Sequence, residues 1–134
     1  FDGDAEAGVT CHRMVHDFDA GPILHQVQVT MAVDETALSL NRKLASASEA
    51  CFQHILRLLL DSRSRLPAGR SWDVSEFPYH FRRIPNKGVI DNSWPSDKIE
   101  RFIRAMYFPP HDSAMAIGLD GLQYAVNTME EYHA

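Results

Sequence analysis

The sequence predicts an α/β chain in which two strands and a long helix are followed by a loop, a second helix and a C-terminal β-hairpin. Apolar and polar residues mix at strand spacing before residue 31, and a helical period begins near residue 36. An Asp-Gly pair then separates two apolar runs near the C-terminus. With 134 residues, 45% of them hydrophobic, the chain can bury the core of about one domain.

The first two elements are strands joined by a turn. Residues 7–15, AGVTCHRMV, are rich in β-branched and apolar types, which favour a strand. Residues 16–21, HDFDAG, have the composition of a turn. Pro22 opens a second strand in which apolar residues such as Ile23 and Val27 have mostly polar neighbours. We expect two adjacent extended segments, an arrangement that a hairpin would satisfy.

A long helix is predicted from about Thr36 to Asp61. Asp34 or Thr36 can supply the N-cap, and Glu35 suits the positive end of the helix dipole. The polar run at 61–73, with its proline and glycine, ends the helix. The apolar residues that share one helical face are Leu40, Leu44, Ala47, Cys51, Ile55 and Leu58.

The second half predicts an ordered loop with short extended pieces at Trp72–Pro95, and its aromatic residues are expected to pack. A second helix follows, with Ser96 as N-cap, and ends before the prolines at 109–110. Asp120-Gly121 is predicted to form a two-residue hairpin turn, and residues 127–134 form a short acidic tail. The second helix is expected to bury Ile99, Phe102, Ile103 and Met106.

Charge and cysteine content exclude several classes. A net charge of −5 argues against a nucleic-acid backbone as the main ligand. Two cysteines make no disulfide framework, and no apolar run reaches 18 residues, so we expect a cytoplasmic protein with no membrane partner. The acidic N-terminus is unlike a signal peptide, and a start at Phe1 in place of Met indicates a fragment or a processed product.

Two carboxylates, Asp17 and Asp19, mark the turn between the strands. A carboxylate at the mouth of a sheet can orient a histidine or accept a proton from an attacking amine, whereas an Asx-turn is the purely structural alternative. His12, His16 and His25 lie nearby in sequence and raise the possibility of a metal site. Their spacing suits a helix better than a strand, and no glutamate or cysteine completes a ligand set, so we predict no metal.

Basic side chains gather in the second half of the chain. They could bind phosphate through bidentate guanidinium contacts, or they could form ordinary ion pairs on a solvated helix face. No glycine-rich phosphate loop, GxSxG elbow or CxxC pair is present. The residues concerned are Arg82, Arg83, Lys87, Lys98, Arg101 and Arg104.

Three ordered blocks resemble the second half of the formyltransferases that use 10-formyltetrahydrofolate. They are AGVTCHRMVHDFDAGPILHQ (7–26), DETALSLNRKLASASEACFQHIL (34–56) and GVIDNSWPSDKIERFIRAMYFPP (88–110). The resemblance implies that residues 1–61 are the distal part of a Rossmann-like catalytic domain. It also implies that 62–95 form an ordered connecting loop and that 96–134 form a C-terminal subdomain of helix and hairpin.

The resemblance also implies roles for individual residues. Asp19 matches the aspartate of a catalytic Asn-His-Asp set, and its two partners belong to an upstream N-x-H segment that residues 1–134 lack. We therefore expect this chain alone to be inactive. Val15, His16 and Asp17 match the loop that borders folate, although Asp17 stands where glycine is usual. The implied substrate contacts are Phe81, Arg82 and Arg83.

YHFRRIPNKGVID and RFIRAMYFPP resemble the branch that N-formylates amino sugars on nucleotide carriers. The implied reaction transfers a formyl group from 10-formyltetrahydrofolate to the amine of a nucleotide-linked amino sugar, and the implied assembly is a homodimer. Methionyl-tRNA formyltransferase is the alternative within the class, disfavoured because the chain ends acidic and tRNA needs a basic surface. An alternative of another class is a non-catalytic remnant or dimerisation module.

Overall fold

A computed structural model describes residues 1–63, 65–73 and 83–134. The described part is a mixed α/β fold with the predicted order of two strands, a long helix, a second helix and a C-terminal strand pair. A short 3₁₀ turn covers Pro85–Gly88 within the predicted loop. The helices and strands are β1 (Glu6–His12), β2 (Ile23–Thr30), α1 (Ala37–Asp61), α2 (Ser96–Met106), β3 (Ala114–Ile117), β4 (Gln123–Val126) and α3 (Met129–His133).

Contacts between backbone segments divide the chain into two compact units. The first unit holds Phe1–Ala5, Met31–Asn41 and the described part of Phe81–Ala134. The second unit holds Glu6–Thr30 and the described part of Arg42–His80. Each unit is built from separate stretches of sequence, and each has buried side chains of its own.

The second unit contains an antiparallel hairpin, as the alternating pattern predicted. Its register pairs Glu6 with Thr30 and Val9 with Val27, and it becomes irregular between Cys11 and His12. β1 therefore ends three residues before the predicted boundary at residue 15. The physical reason is that the next residue of the partner strand is Pro22, which accepts from the Arg13 amide but has no N–H to continue the ladder.

The start of α1 is fixed by a side-chain cap, and Thr36 is the residue that supplies it. The Ser39 amide donates to Thr36 Oγ1 at 3.1 Å, as expected for an N-cap. Glu35 is buried; its carboxylate accepts from the Ala32 amide at 3.0 Å and from the Ser39 hydroxyl. The helix ends at Asp61, as predicted, and its buried residues, Ala47, Cys51 and Ile55, all lie on the predicted apolar face.

The core of the first unit forms around α2. Phe102 is 1% exposed, and its ring meets those of Trp94 and Phe1 at centroid distances of 5.2 and 5.6 Å in edge-to-face geometry. The prediction that aromatic residues of the loop pack is therefore confirmed for Trp94. The other fully buried members of this cluster are Ile90, Ile99, Ile103, Ala114 and Val126.

Two local expectations in the first unit were wrong, and one short helix was not predicted. Ser96 is the first helical residue, and Pro95 occupies the cap position with no side-chain bond. The β3–β4 hairpin has a loop of three residues, 119–121, because the Gly118 amide donates to the Leu122 carbonyl at 2.9 Å. The Gly121 amide donates to the Gly118 carbonyl at 2.9 Å, which closes a turn at 119–120, and Gly121 follows that turn with φ +77°. The tail contains α3, whose N-cap Thr128 accepts from the Glu131 amide at 3.1 Å.

The basic face of α2 forms ion pairs, which favours the structural alternative for these residues. Arg101 Nη1 lies 2.7 Å from Asp97 Oδ2, and this hydrogen bond lowers the pKa of the Asp97 carboxyl below its usual value. Arg104 Nη1 donates to the Glu35 carbonyl at 3.0 Å. The Lys98 ammonium lies 4.5 Å from the centre of the Trp94 ring, within reach of a cation–π contact.

Candidate functional site

The loop between β1 and β2 is held closed by its backbone. The Arg13 amide donates to the Pro22 carbonyl at 2.9 Å, so the two ends of the loop lie side by side. Gly21 is required where the strands converge, because a Cβ built on it would collide with the carbonyl of Arg13. The two ends of the loop are therefore held together, and Asp19 lies two residues before Gly21 at the second of these ends.

Asp19 and His12 form the central contact of this site. Asp19 Oδ1 lies 3.3 Å from His12 Nε2, and the aspartate adopts φ +52°, a left-handed conformation that aspartate tolerates better than most residues. The other ring nitrogen, His12 Nδ1, lies 3.1 Å from the Arg13 carbonyl. Asp19 and the Arg13 carbonyl therefore lie at opposite nitrogens of the same imidazole ring.

The two partners differ in exposure. The side chain of His12 is 27% exposed, whereas that of Asp19 is 89% exposed. The histidine, at the end of β1, is therefore the more protected partner, and the carboxylate of Asp19 stays open to a bound molecule. An exposed carboxylate of this kind can accept a proton from a bound group or a hydrogen bond from it.

The residues expected to border folate lie elsewhere on the same loop. His16 and Asp17 are exposed, and His16 Nδ1 lies 3.2 Å from Asp17 Oδ1. Val15 is also exposed. Together these three side chains offer an apolar surface beside a polar pair, a combination that a flat heteroaromatic ring with polar edges could use.

Asp19 and His12 line a cavity of about 690 Å³, a size typical of small-molecule sites. Its described lining comes from β1, β2, the loop and the segment after α1. One cation, Arg70, and two carboxylates, those of Asp19 and Asp73, are among these residues. The described lining residues are Thr10, His12, Asp19, Ile23, Gln26, Arg70, Ser71, Trp72 and Asp73.

The sequence did not single out Arg70 or Gln26, and it treated Trp72 only as a packing residue. Arg70 Nη2 donates to Gln26 Oε1 at 2.8 Å across a separation of 44 residues. Ile23 and Arg70 exchange backbone bonds of 2.9 and 2.8 Å, so the segment after α1 pairs with β2. A glycine at 69 just before the arginine was the available signal, since glycine in an extended segment often marks the close approach of another backbone.

The structure describes one of the three residues that were predicted to contact the substrate. Phe81 and Arg82 lie outside the described residues. Arg83 is exposed and belongs to the first unit, whereas Asp19 belongs to the second. Within the described ranges, no three His, Cys, Asp or Glu side chains group closely enough to hold a metal ion. No helix in the same ranges is long and apolar enough to cross a membrane.

A strand–loop–strand with an aspartate at the edge of a cavity, followed by a long helix, defines the class as an α/β segment with a small-molecule site. The comparisons with known proteins then show which family this chain is similar to: residues 1–56 match the model of the formyl transferase family. The chain is 36% identical over 133 residues to a GDP-perosamine N-formyltransferase of Brucella melitensis. That match covers 98% of this chain and 49% of the relative, so the chain spans about half the relative's length.

Two solved structures share the fold. An N-formyltransferase from Helicobacter canadensis, in complex with folinic acid and dTDP-3-aminofucose, matches with a TM-score of 0.68 and 24% identity over 82% of this chain and 40% of that one. A methionyl-tRNA formyltransferase from Clostridium thermocellum matches with a TM-score of 0.62 and 19% identity over 85% and 46%. The predicted relationship to formyltransferases and the predicted fold class are both confirmed.

Proposed function

We propose that this chain is part of an N-formyltransferase that moves a formyl group from 10-formyltetrahydrofolate to the amine of a nucleotide-linked amino sugar. The observation that carries the proposal is the 36% identity, over nearly the whole chain, to an enzyme named for that kind of substrate. The likeness to solved structures supports the fold alone, because sugar and methionyl-tRNA enzymes both share it.

Asp19 is the proposed catalytic residue of this chain. An amine that attacks a formyl carbon must lose a proton, and a carboxylate within reach can take or relay that proton. The contact of 3.3 Å with His12 supports this role, because it places an imidazole beside the carboxylate that could exchange a proton with it. Asp19 also lines the cavity, where an amine could meet it.

The donor would be held by the exposed part of the same loop. When bound, 10-formyltetrahydrofolate supplies a formyl group that is activated by its attachment to the cofactor's nitrogen. Val15 would provide an apolar contact for the ring, and His16 and Asp17 would provide polar contacts at its edge. We expect residues 1–134 alone to be inactive, because Asp19 without the other two catalytic groups cannot position the reaction.

The test is the variant Asp19→Asn in the complete protein, assayed with 10-formyltetrahydrofolate and a GDP-linked amino sugar. We expect kcat to fall by at least about 100-fold, because the amide cannot accept the proton. Asp61→Asn, at the exposed end of α1, serves as the matched control and should retain the wild-type rate.

Two outcomes would contradict the proposal. Near-normal turnover of Asp19→Asn would remove the assigned role. Efficient formylation of methionyl-tRNA by the wild-type protein, with no formylation of amino sugars, would favour the alternative within the class.

A further inference from the structure

The segment after α1 is fastened to the loop that carries Asp19. Arg13 Nη2 donates to the Pro67 carbonyl at 2.7 Å, and Arg70 exchanges two backbone hydrogen bonds with Ile23. Trp72 Nε1 donates to the Gly21 carbonyl at 3.0 Å. Residues 67–72 are therefore positioned by contacts at both ends and in the middle, and all of these contacts lie within the second unit.

Gly69 allows this close approach. It has φ +85°, and a Cβ built on it would lie 2.8 Å from Pro22 Cβ and 3.1 Å from the Ile23 carbonyl oxygen. Any other residue would be strained there and would push the segment off β2. The glycine thus brings the next residues, Arg70 to Trp72, into the wall of the cavity that contains Asp19.

The side chains on this wall are held in place by further hydrogen bonds. The Arg70 guanidinium is bound to Gln26, whose amide nitrogen in turn donates to Thr10 Oγ1 at 3.1 Å. A guanidinium has five N–H donors, and the bond to Gln26 uses one of them. Trp72 is half-buried, and the bond from its indole nitrogen to Gly21 fixes the ring.

The lining has the chemistry that a pyranose ring requires. A sugar presents C–H faces, which pack on an aromatic ring, and hydroxyl groups, which bond to planar polar side chains. Trp72 supplies the ring, and Arg70, Gln26 and Asp73 supply planar polar groups on the same cavity. Val15, His16 and Asp17, the proposed donor contacts, are not among its described lining residues, which separates this wall from the donor side of the loop.

We propose that Arg70 and Trp72 form the subsite for the acceptor's sugar ring and determine which amino sugar is accepted. This rests on the proposed function. The indole is the platform for the ring, and the guanidinium donates to ring hydroxyls beside the amine that faces Asp19. The cavity therefore joins the proton-accepting group and the sugar-recognising groups in one space.

The experiment measures binding and kinetics in the complete protein with Arg70→Met, Arg70→Lys, Trp72→Leu and Trp72→Phe. The binding probes are GDP, a GDP-linked 6-deoxyhexose that has a hydroxyl in place of the amine, and folinic acid. Arg70→Met should weaken binding of the GDP-sugar and raise the acceptor KM by about tenfold or more, while binding of GDP and folinic acid stays within about twofold.

The conservative variants separate recognition from folding. Trp72→Phe keeps an aromatic platform and should retain more GDP-sugar affinity than Trp72→Leu. Arg70→Lys keeps the charge but loses the planar fork, so its selectivity among amino sugars should change even where the protein is as stable as wild type. Arg57→Met, an exposed arginine on α1, is the matched control and should match the wild type.

Other results would overturn the subsite. An equal loss of GDP and GDP-sugar affinity would make Arg70 a phosphate contact, and a loss of folinic acid affinity would assign the wall to the donor. Unchanged GDP-sugar affinity and unchanged selectivity in all four variants, in a protein that formylates amino sugars, would refute the subsite and leave the proposed function intact. A wild-type protein that formylates no nucleotide-linked amino sugar would contradict both.

Discussion

Cys51 and Cys11 show how the surroundings of one residue set its chemistry. Cys51 is 2% exposed, and its burial, followed by the influence of Cys11, raises the pKa of its thiol. Cys11 lies on β1 and is only half-buried. Because the thiolate is the nucleophile, a raised pKa and lost access both slow the reaction of Cys51.

We predict that iodoacetamide at neutral pH alkylates Cys11 well before Cys51 in the folded protein. Peptide mass spectrometry at successive times measures the two rates separately. In urea the rates should converge, because unfolding removes the burial that protects Cys51. Equal rates in the native protein would contradict the burial of Cys51.

For individual residues, the family resemblance predicted a catalytic role for Asp19, and the sequence named His12 only as a possible metal ligand. The contact between them depends on the left-handed backbone of Asp19 and on the early end of β1. Neither feature has a local sequence pattern strong enough to predict it. Arg70 was missed for a simpler reason: its partner Gln26 is 44 residues away, and only the pairing with β2 brings them together.

At the scale of elements, the pairing of residue 70 with β2 requires a residue without a side chain at position 69. Gly69 combines a left-handed backbone with close contacts to Pro22 and Ile23. Gly121, after the β3–β4 turn, has a similar φ of +77°, but a Cβ on it would meet nothing within 4 Å. Comparing substitutions at Gly69 and Gly121 therefore separates the energetic cost of the left-handed backbone from the cost of steric contacts.

We predict that Gly69→Ala destabilises the protein more than Gly121→Ala. Each variant should lose about 1–2 kcal/mol from the left-handed conformation, and Gly69→Ala should lose more because of its contacts. Amide hydrogen exchange gives the local readout: the Ile23 amide, which donates to the Arg70 carbonyl, should exchange faster in Gly69→Ala only. Equal protection of that amide in both variants would contradict the close packing.

The order and type of the main elements followed from periodicity, and the ends of elements did not. The long apolar face of α1 and its cap at Thr36 are strong local signals. The short α3 was missed although Thr128 and Glu131 have the spacing of a capping pair, because five residues are too few for a visible period. The last hairpin has a three-residue loop where a two-residue turn was predicted, since Asp-Gly fits both kinds of loop.

In the part of the molecule that the structure describes, the aromatic ring buried most deeply belongs to the first unit. Phe102 lies at its centre, in contact with Trp94 and Phe1. In contrast, Phe52 lies on α1 and is 67% exposed. The same substitution at these two positions therefore measures what burial contributes.

We predict that Phe102→Ala lowers the free energy of unfolding by about 3–5 kcal/mol, because it leaves a cavity among buried side chains. Phe52→Ala should change it by no more than about 0.5 kcal/mol. Urea unfolding followed by the fluorescence of Trp94, in a Trp72→Phe background, measures the first unit directly. Similar losses for the two variants would mean that α2 does not hold the core.

The division into two units restricts how this chain can be recombined with its relatives. Because each unit is assembled from non-contiguous stretches, a single crossover at almost any point gives both units a mixture of parents. A functional chimera would have to exchange Glu6–Thr30 together with the described part of Arg42–His80, since these carry Asp19 and Arg70 as one set. A chimera would then take on the acceptor preference of one parent only if both stretches came from that parent.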